Sequence, residues 1–288
     1  MPKPDAASGM AADATIAIIA GSGALPPLVA AAAVRSGRAP VVMAIAGEAD
    51  PLSFAGLPVH IIRWGEIGKL FQTLAGAGCR QAIFIGAIGR RPDYRTIRPD
   101  FGAVMLIPRI IRMMRSGDDG MLRGVAQIFA EKGVELVSAL DVAPELSLGA
   151  GCVTRVEPSP DALEDVRKAA DAARAIGGLD IGQAAVAMGG RVVALEGAEG
   201  TDGLMARLDD LRKSGRIPSE GGVLVKCVKP RQDPRIDLPT IGPETARRAK
   251  RAGLAGVAAD AGRTLMAGRT ETLAAFEAEG LFLYGLSE

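Results

Sequence analysis

Short apolar runs separated by helix-length segments recur through the first half of the chain, and this spacing restricts the fold more than any other feature. "ATIAIIAG" runs into the glycine turn and alanine-rich stretch of "GSGALPPLVAAAAVRSG". "APVVMAIAG", "VHIIRW" and "CRQAIFIGAIG" follow, with "GEIGKLFQTLAGAG" at helical period before the last of them. Runs of this length that are apolar at nearly every position suit strands buried on both faces. Strands of that kind joined by helical crossovers make a parallel sheet with helices on both sides. "FGAVMLIPRIIRMMRSG", with a break expected at Pro108, and "GMLRGVAQIFAEKG" read as further helices, and "VELVSALDV" as a closing strand.

The alternation stops at "PELSLGAGCVTRVEPSP". Beyond it come a helix capped by Ser159 or Asp161, a hairpin about Gly189-Gly190 in "AAVAMGGRVVALEG", and the helix "TDGLMARLDDLRKSG" leading to the strand "GGVLVKCVK". The chain thus reads as an α/β protein with an N-terminal Rossmann-like parallel-sheet domain over 14–143. A linker over 144–160 joins it to a C-terminal mixed α/β domain over 161–288, and a cleft between domains is a common place for a ligand.

Residue types narrow the chemistry. The single histidine, His60, lies in a strand-like run, so a histidine-rich zinc site cannot be built. Cys79, Cys152 and Cys227 are scattered without metal spacing or an even count for a disulfide framework. A net charge of +1 gives no global field toward nucleic acid. The first residues lack the pattern of a secretory signal and no apolar run is long enough to span a bilayer, so a cytoplasmic protein is expected. Hydrolysis by such a chain rests on carboxylates, lysines, backbone donors and a hard cation such as Mg²⁺.

Four stretches carry the candidate chemistry. Gly21, Ser22 and Gly23 follow a strand and open a helix, as in a phosphate-binding turn; Pro26 stands where a dinucleotide fingerprint would need its third glycine. Residues 90–115 hold Arg90, Arg91, Arg95, Arg98, Arg109, Arg112 and Arg115 against Asp93 and Asp100, beside several methionines. That composition suits an anionic amphiphile or a membrane surface, and equally a solvated helix face. Asp118 and Asp119 lie on a glycine-flanked loop, as helix caps or as Mg²⁺ contacts. Glu196, Glu199, Gly200, Thr201 and Asp202 follow a strand and open a helix, where Thr201 or Asp202 serves as N-cap or the cluster meets a ligand or metal.

A fifth segment, "KCVKPRQDPRIDLPTIGPET" over 226–245, alternates cations and carboxylates among prolines and cannot be a regular helix. A strand delivers Lys226 and Lys229 to its end, the usual ligand edge of an α/β sheet. Neighbouring cations keep Asp233 and Asp237 ionised, able to hold a metal or to accept a proton from water. A stiff salt-bridged surface loop is the alternative.

Taken in order, "GSGALP", "SGDDGMLR", "DIGQAAVAMGGRVVALEGAEGTDGLMAR", the 226–245 segment and "AGLAGVAADAGRTLM" resemble the LpxI family, the UDP-2,3-diacylglucosamine pyrophosphatases of lipid A biosynthesis. Arg231 departs from the glycine usual there. The resemblance implies two linked domains and hydrolysis of UDP-2,3-diacylglucosamine to 2,3-diacylglucosamine 1-phosphate (lipid X) and UMP. Water would attack the phosphorus nearer the sugar in the interdomain cleft, assisted by Mg²⁺ or Mn²⁺. With the residues read above, catalysis is expected at Asp233, Lys226, Lys229, Asp237 and Asp202, with Asp233, Asp202 and Asp237 as metal ligands and Asp233 as metal ligand or base. Substrate contacts fall at Gly21, Ser22, Gly23, Arg90, Asp118, Asp119, Gln183, Glu199, Gly200, Thr201 and Thr240. The resemblance further implies transient contact with the inner face of the membrane as a peripheral protein, and is compatible with a homodimer. Two rivals are a nicotinamide oxidoreductase, resting on the glycine turn, and a non-catalytic carrier of an acidic phospholipid or glycolipid, resting on the arginine and methionine helix.

Overall fold

A computed structural model describes residues 15–89, 97–113, 117–230 and 232–287, with the side chains of 117–119 left undescribed. It divides into two units, one reaching to Pro144 and including Asp233–Asp237, the other formed by Glu145–Gln232 and Leu238–Glu288.

The first unit is built on β1 (Thr15–Ala20), α1 (Leu25–Arg35), β2 (Ala39–Ile45), β3 (Val59–Ile62), α2 (Ile67–Gly76), β4 (Gln81–Ile85), α3 (Phe101–Met113), α4 (Gly117–Glu131), β5 (Glu135–Leu136) and α5 (Ala139–Val142). Its five strands are all parallel in the order β3-β2-β1-β4-β5. The chain therefore reverses its winding between β1 and β4, the switch point where open α/β sheets leave room for a ligand. One face of the sheet packs Ala17, Ile19, Val41 and Met43 against Leu74 of α2 and Phe129 of α4. Ile236 from the proline loop packs against this same core.

Three local expectations change here. The helix runs unbroken through Pro108, which is exposed, so water can satisfy the Val104 carbonyl that the missing N–H releases. Asp118 and Asp119 lie in the first turn of α4 and not on a loop. "VELVSALDV" yields only the two-residue β5 before Ser138 and Asp141 form a capping box that starts α5.

The second unit contains β6 (Gly151–Cys152), α6 (Pro160–Gly178), β7 (Ala184–Met188), β8 (Arg191–Leu195), α7 (Gly200–Lys213), β9 (Val223–Lys226), β10 (Thr240–Ile241), α8 (Pro243–Arg251), β11 (Gly256–Asp260), β12 (Leu265–Met266), α9 (Arg269–Ala278) and β13 (Phe282–Leu286). The six-stranded sheet runs β6-β13-β11-β9-β7-β8. β9, β11 and β13 are parallel, while β7 and β8 form the antiparallel hairpin expected at Gly189-Gly190. β6, within the segment 144–160, pairs antiparallel with β13. Side chains alternate across the sheet. Ala185, Ala187, Val223 and Val225 face Val166, Ala169 and Ala173 of α6. Ala184, Val186 and Leu224 face the cluster that holds Leu204, Leu208 and Phe276. Ser159 caps α6 by accepting the N–H of Ala162 at 3.1 Å.

Gly21 is where β1 leaves the sheet at the switch point, and a Cβ there would lie 2.5 Å from the Ala87 carbonyl oxygen. Backbone on both sides cannot yield cheaply, so Gly21→Ala is expected to cost about 1–3 kcal/mol, read as a lower midpoint in urea denaturation.

Candidate active site

Strand register assembles the site of the second unit. Lys226, the last residue of β9, is paired with Ala184 at the start of β7 and with Ala259 in β11. Leu195, the last residue of β8, is paired with Ala185. The ends of β8, β9 and β11 and the beginning of β7 therefore share one edge. Gln183, Glu196, Lys226 and Asp260 gather there, and α7 starts from the same edge.

Glu196 is buried and bonds on both oxygens, accepting the Gln183 N–H at 2.7 Å and the Thr201 hydroxyl at 2.8 Å. Gly182 permits the approach, since a Cβ at that position would lie 2.5 Å from the Glu196 carbonyl oxygen. Thr201 and Asp202 fall inside the first turn of α7, after Glu199 at the N-cap position, and no side chain caps the helix. The capping alternative for either residue is thereby set aside. Asp202, mostly exposed, pairs with Arg248, and Glu199 pairs with Arg207 at 3.0 Å. Gly200 takes a left-handed backbone at φ +71°. The Oε1 of Gln183 is buried and has no hydrogen-bond partner among the described residues.

The proline loop leaves this edge through a series of side-chain anchors. The Val228 N–H donates to Asp260 Oδ2 at 2.7 Å, and Arg174 of α6 donates to Asp260 Oδ1 at 3.2 Å. Burial, helped by the nearby Asp260 carboxylate, pushes the Cys227 thiol up to about 12, so this thiol is no nucleophile. Lys229 Nζ lies 2.7 Å from Asp180 Oδ1, and the Lys229 side chain is only 11% exposed. Asp180 holds φ +57°, the one left-handed non-glycine backbone among the described residues, a conformation that aspartate tolerates better than most. The Lys229 N–H donates to buried Gln232, whose own N–H returns to the Lys229 carbonyl.

Asp233–Asp237 then belong to the first unit. Asp233 accepts a fork from Arg235, at 2.9 Å from Nε and 2.6 Å from Nη2, together with the Arg235 N–H. The Arg235 guanidinium holds this carboxyl below the usual aspartate range. Asp237 lies one turn along, its N–H donating to the Asp233 carbonyl at 3.1 Å. At the switch point, the Gly21 N–H donates to Ile85, and both the N–H and the hydroxyl of Ser22 donate to the Ala87 carbonyl. These donors tie the turn after β1 to the turn after β4, and Gly23, at φ +103°, follows them. Thr240 opens β10 and donates weakly to the Leu238 carbonyl at 3.4 Å. Arg90 and Arg231 lie outside the described residues, as do the side chains of Asp118 and Asp119.

Asp180 and Asp260 were not singled out by residue type or spacing. Each carries only the faint mark of lying within a stretch of family resemblance.

The fold and this charged strand edge belong to a defined class. Residues 15–146 match the LpxI N-terminal domain and residues 149–284 the LpxI C-terminal domain. The chain belongs to the LpxI family. It is 42% identical over 273 residues to the UDP-2,3-diacylglucosamine pyrophosphatase LpxI of Caulobacter vibrioides, covering 94% of this chain and 97% of that protein.

Asp260→Ala would leave the buried Val228 N–H without its acceptor and Arg174 without its partner. A loss of about 1–3 kcal/mol is expected, measured by urea denaturation.

Proposed function

We propose that this protein hydrolyses the diphosphate of UDP-2,3-diacylglucosamine, releasing UMP and 2,3-diacylglucosamine 1-phosphate with the help of a divalent cation. The observation that carries this reading is the match, along nearly the whole chain, to a relative with that named activity. The strand edge supports it with groups suited to a diphosphate. Lys226 and Lys229 offer cationic charge at the end of β9, with Lys229 oriented by Asp180. The buried Oε1 of Gln183 lacks a partner among the described residues, and by turning outward it would accept a donor from the substrate, such as a hydroxyl or a base N–H.

The cation would be held sparingly by protein. Among the described residues no three His, Cys, Asp or Glu side chains gather into a cage. Asp233 and Asp237, one turn apart, would hold Mg²⁺ in its usual manner, through one or two carboxylates with the rest of the shell left to substrate phosphates and water, once Arg235 releases an oxygen of Asp233. Mn²⁺ accepts the same oxygen donors. Asp202 is itself engaged, by Arg248. When bound, the ion supplies Lewis-acid polarisation of a phosphoryl oxygen and neutralises charge as the bond breaks.

Asp233 suits a ligand better than a base, because Arg235 keeps its carboxylate ionised and weakly basic. We assign to Asp237 the proton released as water adds to phosphorus and the bridging P–O bond breaks. A diacylated substrate resides in a bilayer, so the protein would act as a peripheral protein at the inner face of a membrane.

Phosphorus NMR of the protein with UDP-2,3-diacylglucosamine and Mg²⁺ tests the reading. UMP and a sugar 1-phosphate should appear, EDTA should stop them, and a folded Asp233→Ala protein should produce neither. Substrate binding with an unchanged diphosphate signal would favour the lipid carrier instead. The Asp233–Arg235 pair makes a separate prediction. A carboxyl with a depressed folded pKa stabilises the protein above its unfolded pKa and loses that contribution as pH falls through the folded value. The urea midpoint should therefore fall as pH drops below the ordinary aspartate value of about 3.9 toward the lower folded value of Asp233. In Arg235→Gln that part of the fall should be lost.

A further inference from the structure

Helix α3 wears its apolar face outward. Phe101 is 82% exposed, Met105 67%, Ile111 50%, Val104 46% and Ile107 42%. Spaced at about 100° per residue, these five, together with exposed Pro108 and Arg112, fall within a sector of about 160°. Ala103 on the opposite side is buried, and the helix packs on α2 and α4. A surface helix of a water-soluble protein normally presents polar residues on its outer face. Here that face offers one cation and otherwise hydrocarbon, a contiguous patch of the kind that marks an interaction surface.

The charges around the patch identify what it meets. No residue of α3 is acidic. Asp100, just before it, is turned into the fold, accepting the N–H groups of Gly68, Lys69 and Ala103. Arg109 is paired with Glu131. Arg98 and Arg112 are exposed, and neither has a carboxylate partner among the described residues. A second copy seated face to face would bring no carboxylate of its own α3 to meet Arg112. An anionic lipid surface complements both features, since it takes apolar side chains into the acyl boundary and arginines against its headgroups. No helix among the described residues is long and apolar enough to cross a membrane, so the contact would be interfacial.

We infer that the exposed face of α3 docks the protein onto a bilayer rich in anionic phospholipid, with Phe101, Met105 and Ile111 inserted and Arg98 and Arg112 at the headgroups. The inference rests on the reading above in one respect, that a diacylated substrate is met at a bilayer. The apolar face and its cations stand independently of it.

Flotation of the full chain with vesicles tests this. The protein should float with phosphatidylglycerol-rich vesicles and only weakly with phosphatidylcholine alone. Met105→Glu combined with Ile111→Glu should weaken flotation by roughly tenfold or more. These positions are exposed, so the variant should keep the wild-type melting temperature and its rate on detergent-dispersed substrate. As a second probe, Phe101→Trp in a Trp64→Phe background should be quenched by brominated phosphatidylglycerol. A wild-type protein that stays with the unfloated fraction, a double variant that floats as well as wild type, or an unquenched tryptophan would each overturn the inference. Self-association lost in the double variant, without flotation of the wild type, would assign the face to a second copy and overturn it as well. Absence of hydrolysis on dispersed substrate would count against the proposed reaction alone, because flotation and quenching read docking without turnover.

Discussion

The carboxylate of Asp260 fixes the arrangement on which the rest of the second unit depends. It ends β11, is nearly buried, and accepts both the Val228 N–H and Arg174. A buried carboxylate is tolerated only when its lone pairs are satisfied, and a buried N–H only when it finds an acceptor. Each need meets the other where β9 passes into the proline loop. From there the loop is held residue by residue: Lys229 by Asp180 and Gln232, then Asp233 by Arg235. A segment without helix or strand thus gains a defined course from charged side chains and prolines, which suits groups that must be in place before a substrate arrives.

Both units put their candidate groups at strand ends, for different reasons. In the first, the winding reverses between β1 and β4, and the glycine turn of one strand meets the turn of the other through Ser22 and Ala87. Gly21 is there for close backbone packing, and the donors of Gly21 and Ser22 already have partners. In the second unit, antiparallel β7 and β8 beside parallel β9 and β11 bring together residues from distant parts of the chain. The outward apolar face of α3 belongs to neither edge. It answers to a surface outside the molecule.

Much of this was legible in local pattern. The parallel sheet of the first unit, the hairpin at Gly189-Gly190, the Ser159 cap and the irregular charged loop all follow from periodicity and turn chemistry within a few residues. The misreadings were local too. Pro108 sits in a helix because its position faces solvent, and "VELVSALDV" is cut short by the Ser138 capping box. Partner choice was not legible. Lys229 finds Asp180 at a separation of 49 residues, and Val228 finds Asp260 at 32. Nothing in residue type distinguishes these aspartates from the others. Nor did spacing reveal that Asp233–Asp237 belong with the first unit, an assignment that Ile236 makes by joining its core.

The sequence by itself determined the strands and helices, the restricted palette of carboxylates, lysines and glycine turns, and the family resemblance, because each of these resides in residue identity and near-neighbour spacing. Only the tertiary structure decided which carboxylates hold backbone, which hold cations and which stand beside one another, and that an apolar helix face points outward. Those outcomes depend on strand register and on burial, which arise only when segments far apart in the chain are packed together.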